Sequence, residues 1–196
     1  MAAKDYIGSS KVMVPKKRAL PKRFVKFKDY KIPEGFVLVV DTAEQLPIFG
    51  DIRHMPVGLT IVRKCLKTEA GRFADYSVLG YEGLIAIERK QQSDFEHYIQ
   101  DRENTQRKLK LLSQCFWAGL VVEADEMDLY NSPISPRMTR EMVRGNLNSI
   151  SCRYGVHIYI NPNRENTDRY ILDHMLKAYE VLISGDEIWR YHNDKS

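Results

Sequence analysis

The stretch "GLIAIERKQQSDF", residues 83–95, constrains the fold of this chain more than any other. Its apolar residues 84–87 form one uninterrupted run, which is typical of a central strand covered on both faces of a sheet. Charged residues follow at once. Because side chains alternate between the two faces of a strand, Glu88 and Lys90 should point one way and Arg89 the other. The stretch therefore predicts a buried strand that delivers charged groups to its own end.

Further segments have the apolar pattern of strands, bounded by turn residues: 35–40, 59–66, 74–80, 116–124 and 156–160. The segment 74–80 precedes the strand 83–90 by a turn containing Gly80 and Gly83, so these two strands are predicted to be antiparallel neighbours.

Three helices are predicted between and after the strands. The S-x-x-E pattern of Ser93 and Glu96 indicates a capping box, and the first helix is expected to run from Asp94 toward Cys115. The last helix shows one apolar face and ends at Gly185; its face consists of Ile171, Met175, Ala178 and Leu182.

The middle helix is predicted with Ser135 as its N-cap and Pro136 as its first residue, and Gly155 as its end. Strands first, followed by alternating helices and strands, indicate one α/β domain with a central mixed sheet and helices on both faces. We expect this domain to span residues 32–186, with a tail at 187–196.

The charge of the chain is distributed unevenly. The net charge is +4, but residues 1–31 carry ten Lys or Arg against two acidic residues, and the remainder is negative overall. This segment is predicted to be a flexible basic arm that binds DNA phosphates without sequence preference. A solubilising tail is the alternative. The basic residues expected to contact DNA are Lys16, Lys17, Arg18, Lys22 and Arg23.

Other features bear on location and cofactors. No apolar run reaches the roughly 18 residues of a membrane span, and the N-terminus has no apolar segment of a secretory signal. Three scattered cysteines and five scattered histidines show no zinc-ligand spacing. We therefore expect an intracellular protein, in the cytoplasm or nucleoid of a bacterial or phage setting, with no membrane partner and no small-molecule cofactor.

Acidic side chains gather at the predicted strand ends. Antiparallel pairing would bring Asp75 beside Glu88 and Lys90, and Asp41 and Glu44 follow another apolar strand. Two adjacent carboxylates repel each other unless a cation lies between them, and oxygen ligands favour Mg²⁺ or Mn²⁺. Such a metal acidifies a bound water and stabilises charge on phosphate oxygens.

Within this arrangement Lys90 would orient the water or neutralise developing charge. Asp94, in the first turn of the next helix, is expected to hold Lys90 or Arg89 in place. The D…ExK arrangement is that of nucleases with the restriction-endonuclease fold, although spacings of this kind also arise by chance in a chain with 29% charged residues.

Residues 36–184 resemble the nuclease domain of the XPF family of structure-specific endonucleases. The resemblance is carried by four segments that occur in the family's order, each at a strand edge: "VVDTAEQ", "ADYSV", "IAIERKQQSDF" and "VVEAD". Residues 88–90 and Asp94 coincide with the family signature GD…ERKxxxD. The resemblance implies a restriction-endonuclease-like fold and metal-dependent cleavage of branched or flap DNA in repair, recombination or replication. It also implies a homodimer through the late helices, 136–153 and 166–184.

The resemblance assigns a role to each site residue. It implies that Asp75 and Glu88 bind the metal with help from Glu44. It makes Lys90 the group that orients the water or neutralises charge. Arg89 and Asp94 would support the active site, and Asp41 would be a further active-site acid.

Two positions depart from the family pattern: Ala43 stands where the family has arginine, and Ala74 where it has glycine. Two other functions remain open, a non-catalytic DNA-binding subunit and a nuclease without branch preference. Basic residues on the helix after Asp94, including Arg102, are either phosphate contacts or a plain solvated face; the others are Arg107, Lys108 and Lys110.

Overall fold

The structure is a computed structural model that describes residues 30–49, 55–69, 71–131 and 138–185. The predicted arm residues Lys16, Lys17, Arg18, Lys22 and Arg23 and the tail 187–196 lie outside the described residues. Tyr30, inside the predicted arm, packs against the core of the domain.

A mixed sheet of six strands forms the centre of the domain, in the order β2-β1-β5-β6-β7-β8. The strand β5 is antiparallel to both of its neighbours, and the other adjacent pairs are parallel. A separate hairpin, β3–β4, lies between β2 and β5 in the chain. The strands are β1 (Val37–Asp41), β2 (Thr60–Lys64), β3 (Lys67–Thr68), β4 (Gly71–Arg72), β5 (Tyr76–Val78), β6 (Ile85–Gln91), β7 (Trp117–Glu123) and β8 (His157–Ile160).

Helices cover both faces of the sheet. They are α1 (Gln92–Gln100), α2 (Arg102–Leu112), α3 (Glu126–Asn131), α4 (Arg140–Tyr154) and α5 (Arg164–Ser184). The first four pack on one face, which we call face one, and α5 packs on the opposite face, face two. The predicted mixed sheet with helices on both faces is confirmed.

The strand β6 shows how alternation builds the two cores. Ala86 points to face one, where it packs with Phe95 of α1 and Leu120 of β7. Ile85 and Ile87 point to face two and pack with α5. All three residues are fully buried, as the uninterrupted apolar run predicts for a central strand.

The helix after β6 differs from the prediction at both ends. It begins at Gln92 because β6 continues directly into it, with Gln91 in extended conformation as the N-cap. Ser93 therefore lies inside the first turn, and the predicted capping box does not form. The helix ends at Gln100, and Asp101 starts α2 by accepting a hydrogen bond from the Asn104 N–H at 3.3 Å.

The predicted start of the middle helix is also wrong. This helix, α4, begins at Arg140, and Thr139 caps it by accepting a hydrogen bond from the Met142 N–H. Ser135 and Pro136 lie outside the described residues. The predicted ends of α4 and α5 are confirmed, because Gly155 and Gly185 both adopt the left-handed conformation that glycine favours, each with a φ of 65°.

None of the helices in the described ranges is long and apolar enough to cross a membrane.

Candidate active site

The pairing of β5 with β6 brings Asp75 next to Glu88. The Asp75 N–H donates to the carbonyl of Ile87 at 2.9 Å, which continues the antiparallel ladder past the end of β5. In return the Arg89 N–H donates to Oδ2 of Asp75 at 2.7 Å. Asp75, directly before β5, and Glu88, in the middle of β6, are thus neighbours across the two strands, as the sequence predicts.

Glu88 is a buried carboxylate held by two lysines. Its side chain is 0% exposed, and its Oε1 lies 2.5 Å from the Nζ of Lys90 and 2.5 Å from the Nζ of Lys108. Its other oxygen, Oε2, is buried and has no hydrogen-bond partner among the residues the structure describes. One acceptor atom of the site therefore remains available to a further cation.

Lys90 connects the two acids. Its Nζ lies 4.0 Å from Oδ2 of Asp75, in addition to its contact with Glu88. Burial acts to lower the pKa of Lys90, but the carboxylates of Glu88 and Asp75 outweigh that effect, and its pKa is raised. Lys90 is consequently a stable positive charge between the two acids.

The electrostatics of Asp75 reflect the same crowding. Burial raises the pKa of Asp75 to about 7, with the neighbouring carboxylate of Glu88 as the next cause, against the lowering effect of Lys90. A carboxyl with a raised pKa gains most from an added cation, because the cation favours its ionised form.

A pocket of about 320 Å³ opens beside Asp75 and Lys90. Asp94, in the first turn of α1, lines this pocket, and so does Ala43. Asp94 makes no ion pair with Arg89 within the described part of the chain, since Arg89 turns to the other face of the sheet. The predicted support of Lys90 by Asp94 rests on charge alone. The negative charge of Asp94 raises the pKa of Lys90, and the charges of Glu88 and Asp75 raise it more.

Arg89 lies at the centre of a second polar cluster, on face two. Its guanidinium contacts Oε1 of Glu44 at 2.7 Å and both carboxylate oxygens of Glu123 at 3.1 Å, and it donates to the carbonyl of Leu46 at 2.5 Å. The opposite orientation of Arg89 and Glu88 predicted from strand alternation is confirmed.

This second cluster, which we call the Arg89 network, reaches into α5. Arg164 lies 3.1 Å from Oε1 of Glu123 and 2.8 Å from Oδ1 of Asp168, and Thr167 donates to Glu123 at 3.0 Å. Phe49 N–H also donates to Asp168. The network therefore joins β6, β7, the segment after β1 and the start of α5. Glu123 thus forms a structural salt bridge.

Glu44 is predicted to help bind the metal, but it is paired with Arg89. Within the described residues, no group of three His, Cys, Asp or Glu side chains is arranged to hold a metal ion. Asp41 is likewise occupied: it accepts hydrogen bonds from the N–H groups of Ala43 at 2.7 Å and Leu66 at 2.6 Å and pairs with Arg72 at 3.2 Å. The active-site roles of both acids stay predictions, and these contacts do not support them.

The donor set of Asp75 and Glu88 fits a divalent cation. Both are carboxylates, the ligands that Mg²⁺ and Mn²⁺ prefer, and Oε2 of buried Glu88, which no described residue contacts by a hydrogen bond, supplies a ligand atom. Mg²⁺ commonly takes one or two protein carboxylates and completes its shell with water and substrate oxygens, so two acids are sufficient.

Two residues contact Glu88 or Lys90 in ways that the sequence analysis does not predict, although it names Lys108 as a candidate phosphate contact. Lys108 occupies a position on the buried stripe of α2, between Thr105 and Leu112, where a lysine indicates a buried acidic partner. Tyr98 packs its ring 5.8 Å from the Nζ of Lys90, and its buried hydroxyl has no partner among the described residues. Arg102 is exposed and lines a depression between α2 and α4, away from Asp75.

Comparisons with known proteins support the fold. No protein-family model matches the chain, and no curated protein sequence does so either. Among solved structures, XPF from Aeropyrum pernix matches 71% of this chain and 59% of its own, with a TM-score of 0.53 and 18% identity. XPF from the same organism in complex with DNA matches 74% and 65%, with a TM-score of 0.55 and 17% identity.

The chain therefore spans about three fifths of the length of the XPF chains that it matches. At these identities the likeness concerns the fold, and the restriction-endonuclease-like fold expected from the sequence is confirmed.

Proposed function

We propose that this protein is a metal-dependent endodeoxyribonuclease that hydrolyses phosphodiester bonds in branched or flap DNA. The observation that carries the proposal is in β6, where buried Glu88 has a carboxylate oxygen with no partner among the described residues, close to Asp75 and Lys90. A buried acid with a free oxygen is costly unless a cation or donor occupies it, and its neighbours Asp75 and Lys90 line a pocket.

In this proposal Asp75 and Glu88 hold Mg²⁺ or Mn²⁺. When bound, the metal supplies an acidified water and charge stabilisation at the phosphate. Lys90 keeps its positive charge, because its pKa is raised, and it places that charge where negative charge develops on phosphate oxygens. The hydrogen bond from the Arg89 N–H fixes the orientation of Asp75.

Support for DNA as the substrate comes from two sides. One of the similar structures is of an XPF in complex with DNA. The basic segment 1–31 offers positive charge for phosphates, which provides sequence-independent affinity. The preference for branched DNA, and with it a role in repair, recombination or replication, follows from the family resemblance.

Cleavage of labelled 3′-flap, forked and plain duplex DNA tests the proposal, with Mg²⁺, Mn²⁺ or EDTA. We expect metal-dependent cleavage by the wild type, greatest on flap or forked DNA. Asp75→Ala should lose it, while Asp128→Ala, an exposed acid of α3, should retain it. Equal cleavage of all substrates would favour a nuclease without branch preference.

The alternative of a non-catalytic DNA-binding subunit is supported by one observation. Ala43 lines the pocket at the position where the family carries arginine. The pocket therefore has one positively charged side chain fewer than the family pattern. DNA binding without cleavage of any substrate under any metal would establish this alternative and contradict the proposed nuclease.

A homodimer through α4 and α5 is part of the same proposal. Both helices expose a large apolar side chain, Met142 at 40% and Ile183 at 50%. Size-exclusion chromatography with light scattering should give the mass of a dimer. A monomer at working concentration would contradict this part of the proposal.

A further inference from the structure

Lys108 brings a second ammonium group to Glu88 from outside the acidic strands. It lies on α2, and its Nζ shares the Oε1 of Glu88 with the Nζ of Lys90 at the same distance, 2.5 Å. With Asp75 included, the site holds two carboxylates and two ammonium groups. The buried acids are therefore neutralised by the chain itself before any metal binds.

A divalent cation at Asp75 and Glu88 would meet both ammonium groups at close range. Like charges at a few ångströms repel strongly in a buried site, so one lysine must leave Glu88 when the metal enters. Lys90 is fixed by β6 on one side and by the ring of Tyr98 on the other. Lys108 is attached through a flexible side chain to a helix and, among the described residues, pairs with Glu88 alone, whereas Lys90 also lies 4.0 Å from Oδ2 of Asp75.

A groove between α1 and α2 gives Lys108 a place to move to. The groove has a volume of about 710 Å³, and Lys90 and Asp94 line both this groove and the pocket beside Asp75. The groove is therefore continuous with the site. Tyr98 lines it as well, and Arg107 adds a further basic side chain that suits an anionic backbone.

We propose that Lys108 is the internal counter-ion of the site, and that a divalent metal releases it from Glu88 to a DNA backbone phosphate in the α1–α2 groove. This role rests on the proposed nuclease function, because it requires metal at Asp75 and Glu88. Lys108 acts as a positioning residue that couples the binding of metal to the binding of the DNA strand.

Titration of Mn²⁺ without DNA, followed by the electron paramagnetic resonance signal of the free ion, tests the competition. Lys108→Met should bind Mn²⁺ about tenfold more tightly than the wild type, the ratio given by roughly 1.4 kcal/mol of relieved charge competition. Lys110→Met, which removes the same charge from an exposed position of the same helix, should bind like the wild type. Equal affinities of the two variants would overturn the proposal.

Lys108→Arg provides a second variant should Lys108→Met fail to fold. Its guanidinium pairs with carboxylates through two parallel hydrogen bonds, so it should hold Glu88 more firmly and weaken Mn²⁺ binding. Tighter Mn²⁺ binding by Lys108→Arg would contradict the counter-ion role.

Release toward DNA has its own readout. Fluorescence anisotropy measures the affinity of each variant for duplex DNA. With Ca²⁺ present, Lys108→Met should lose more of this affinity than Lys110→Met. With EDTA present, the two variants should lose the same amount. An equal loss in both conditions would mean that Lys108 contacts DNA without being released by metal, which would overturn the coupling.

Asp75→Asn separates this proposal from the proposed function. If the wild type and Asp75→Asn bind Mn²⁺ alike, there is no metal site at Asp75. The proposed nuclease function then fails, and the counter-ion role fails with it. If that site is present but Lys108→Met and Lys110→Met bind alike, only the counter-ion role is overturned.

Discussion

Neighbouring residues on one strand serve opposite purposes in this protein. Glu88 turns to face one, where it is fully buried and one of its oxygens has no partner in the described part of the chain. Arg89 turns to face two, where its guanidinium joins Glu44 and Glu123. Alternation along β6 thus separates the groups proposed for chemistry from those that hold the structure, although they are adjacent in sequence.

The pH dependence of stability should report Asp168, which belongs to the Arg89 network. Burial raises the pKa of Asp168 to about 7, and the Glu123 carboxylate acts in the same direction. Between about pH 4 and 7 Asp168 therefore binds more protons in the folded protein than in the unfolded chain, and its contribution to the free energy of unfolding falls as pH rises through that window.

Asp168→Asn removes this titrating group, so its free energy of unfolding should fall less steeply than that of the wild type between about pH 4 and 7. Urea denaturation at a series of pH values measures the two slopes. Parallel curves for the two proteins would show that Asp168 does not carry the effect.

At the scale of elements, strands were easier to predict than helix starts. The apolar runs locate every strand of the central sheet, and Gly155 and Gly185 end α4 and α5 as expected. The capping box of Ser93 fails because β6 leads directly into α1, and a local pattern does not reveal how the preceding strand ends. The contact of Lys108 with Glu88 is made from α2, a separate helix that begins after the break at Asp101.

The partners of the acids illustrate the same limit. Sequence spacing places Asp75 beside Glu88, because antiparallel pairing of adjacent strands brings these two residues together. The spacing does not show whether Glu44 binds a metal or pairs with Arg89. That choice depends on the path of the segment after β1 and on the docking of α5, which are tertiary features.

The Arg89 network should make a large contribution to the stability of these elements. Arg89→Met leaves Glu44 buried without its partner and should lower the free energy of unfolding by about 3 kcal/mol, the size of effect seen when one member of a buried ion pair is removed. Arg102→Met, on the exposed start of α2, is the matched control and should change stability by less than about 0.5 kcal/mol. Equal effects in guanidinium denaturation would contradict a structural role for Arg89.

At the scale of the whole molecule, the charge distribution divides two tasks. The described domain carries the acidic pocket and the network beneath it, while the positive charge is concentrated in the first residues of the chain. Affinity for DNA and cleavage of DNA should consequently be separable properties.

Replacing the five basic residues Lys16, Lys17, Arg18, Lys22 and Arg23 by glutamine tests this separation. The variant should bind duplex DNA more weakly, and the dependence of its log affinity on log salt should become shallower by about 0.9 for each phosphate that it no longer neutralises. Fluorescence anisotropy at several salt concentrations measures the slope. An unchanged slope would assign the segment no part in DNA binding.

We propose that face one of β6 carries the chemistry and that face two carries the structure. The most direct test compares Glu88→Gln with Glu123→Gln, the same change on the two neighbouring strands β6 and β7, by single-turnover cleavage of flap DNA and by urea denaturation. Glu88→Gln should stay folded and cleave at least about a hundredfold more slowly. Glu123→Gln should lose stability but cleave at the wild-type rate wherever it is folded. Rapid cleavage by Glu88→Gln, or a folded but inactive Glu123→Gln, would contradict the assignment.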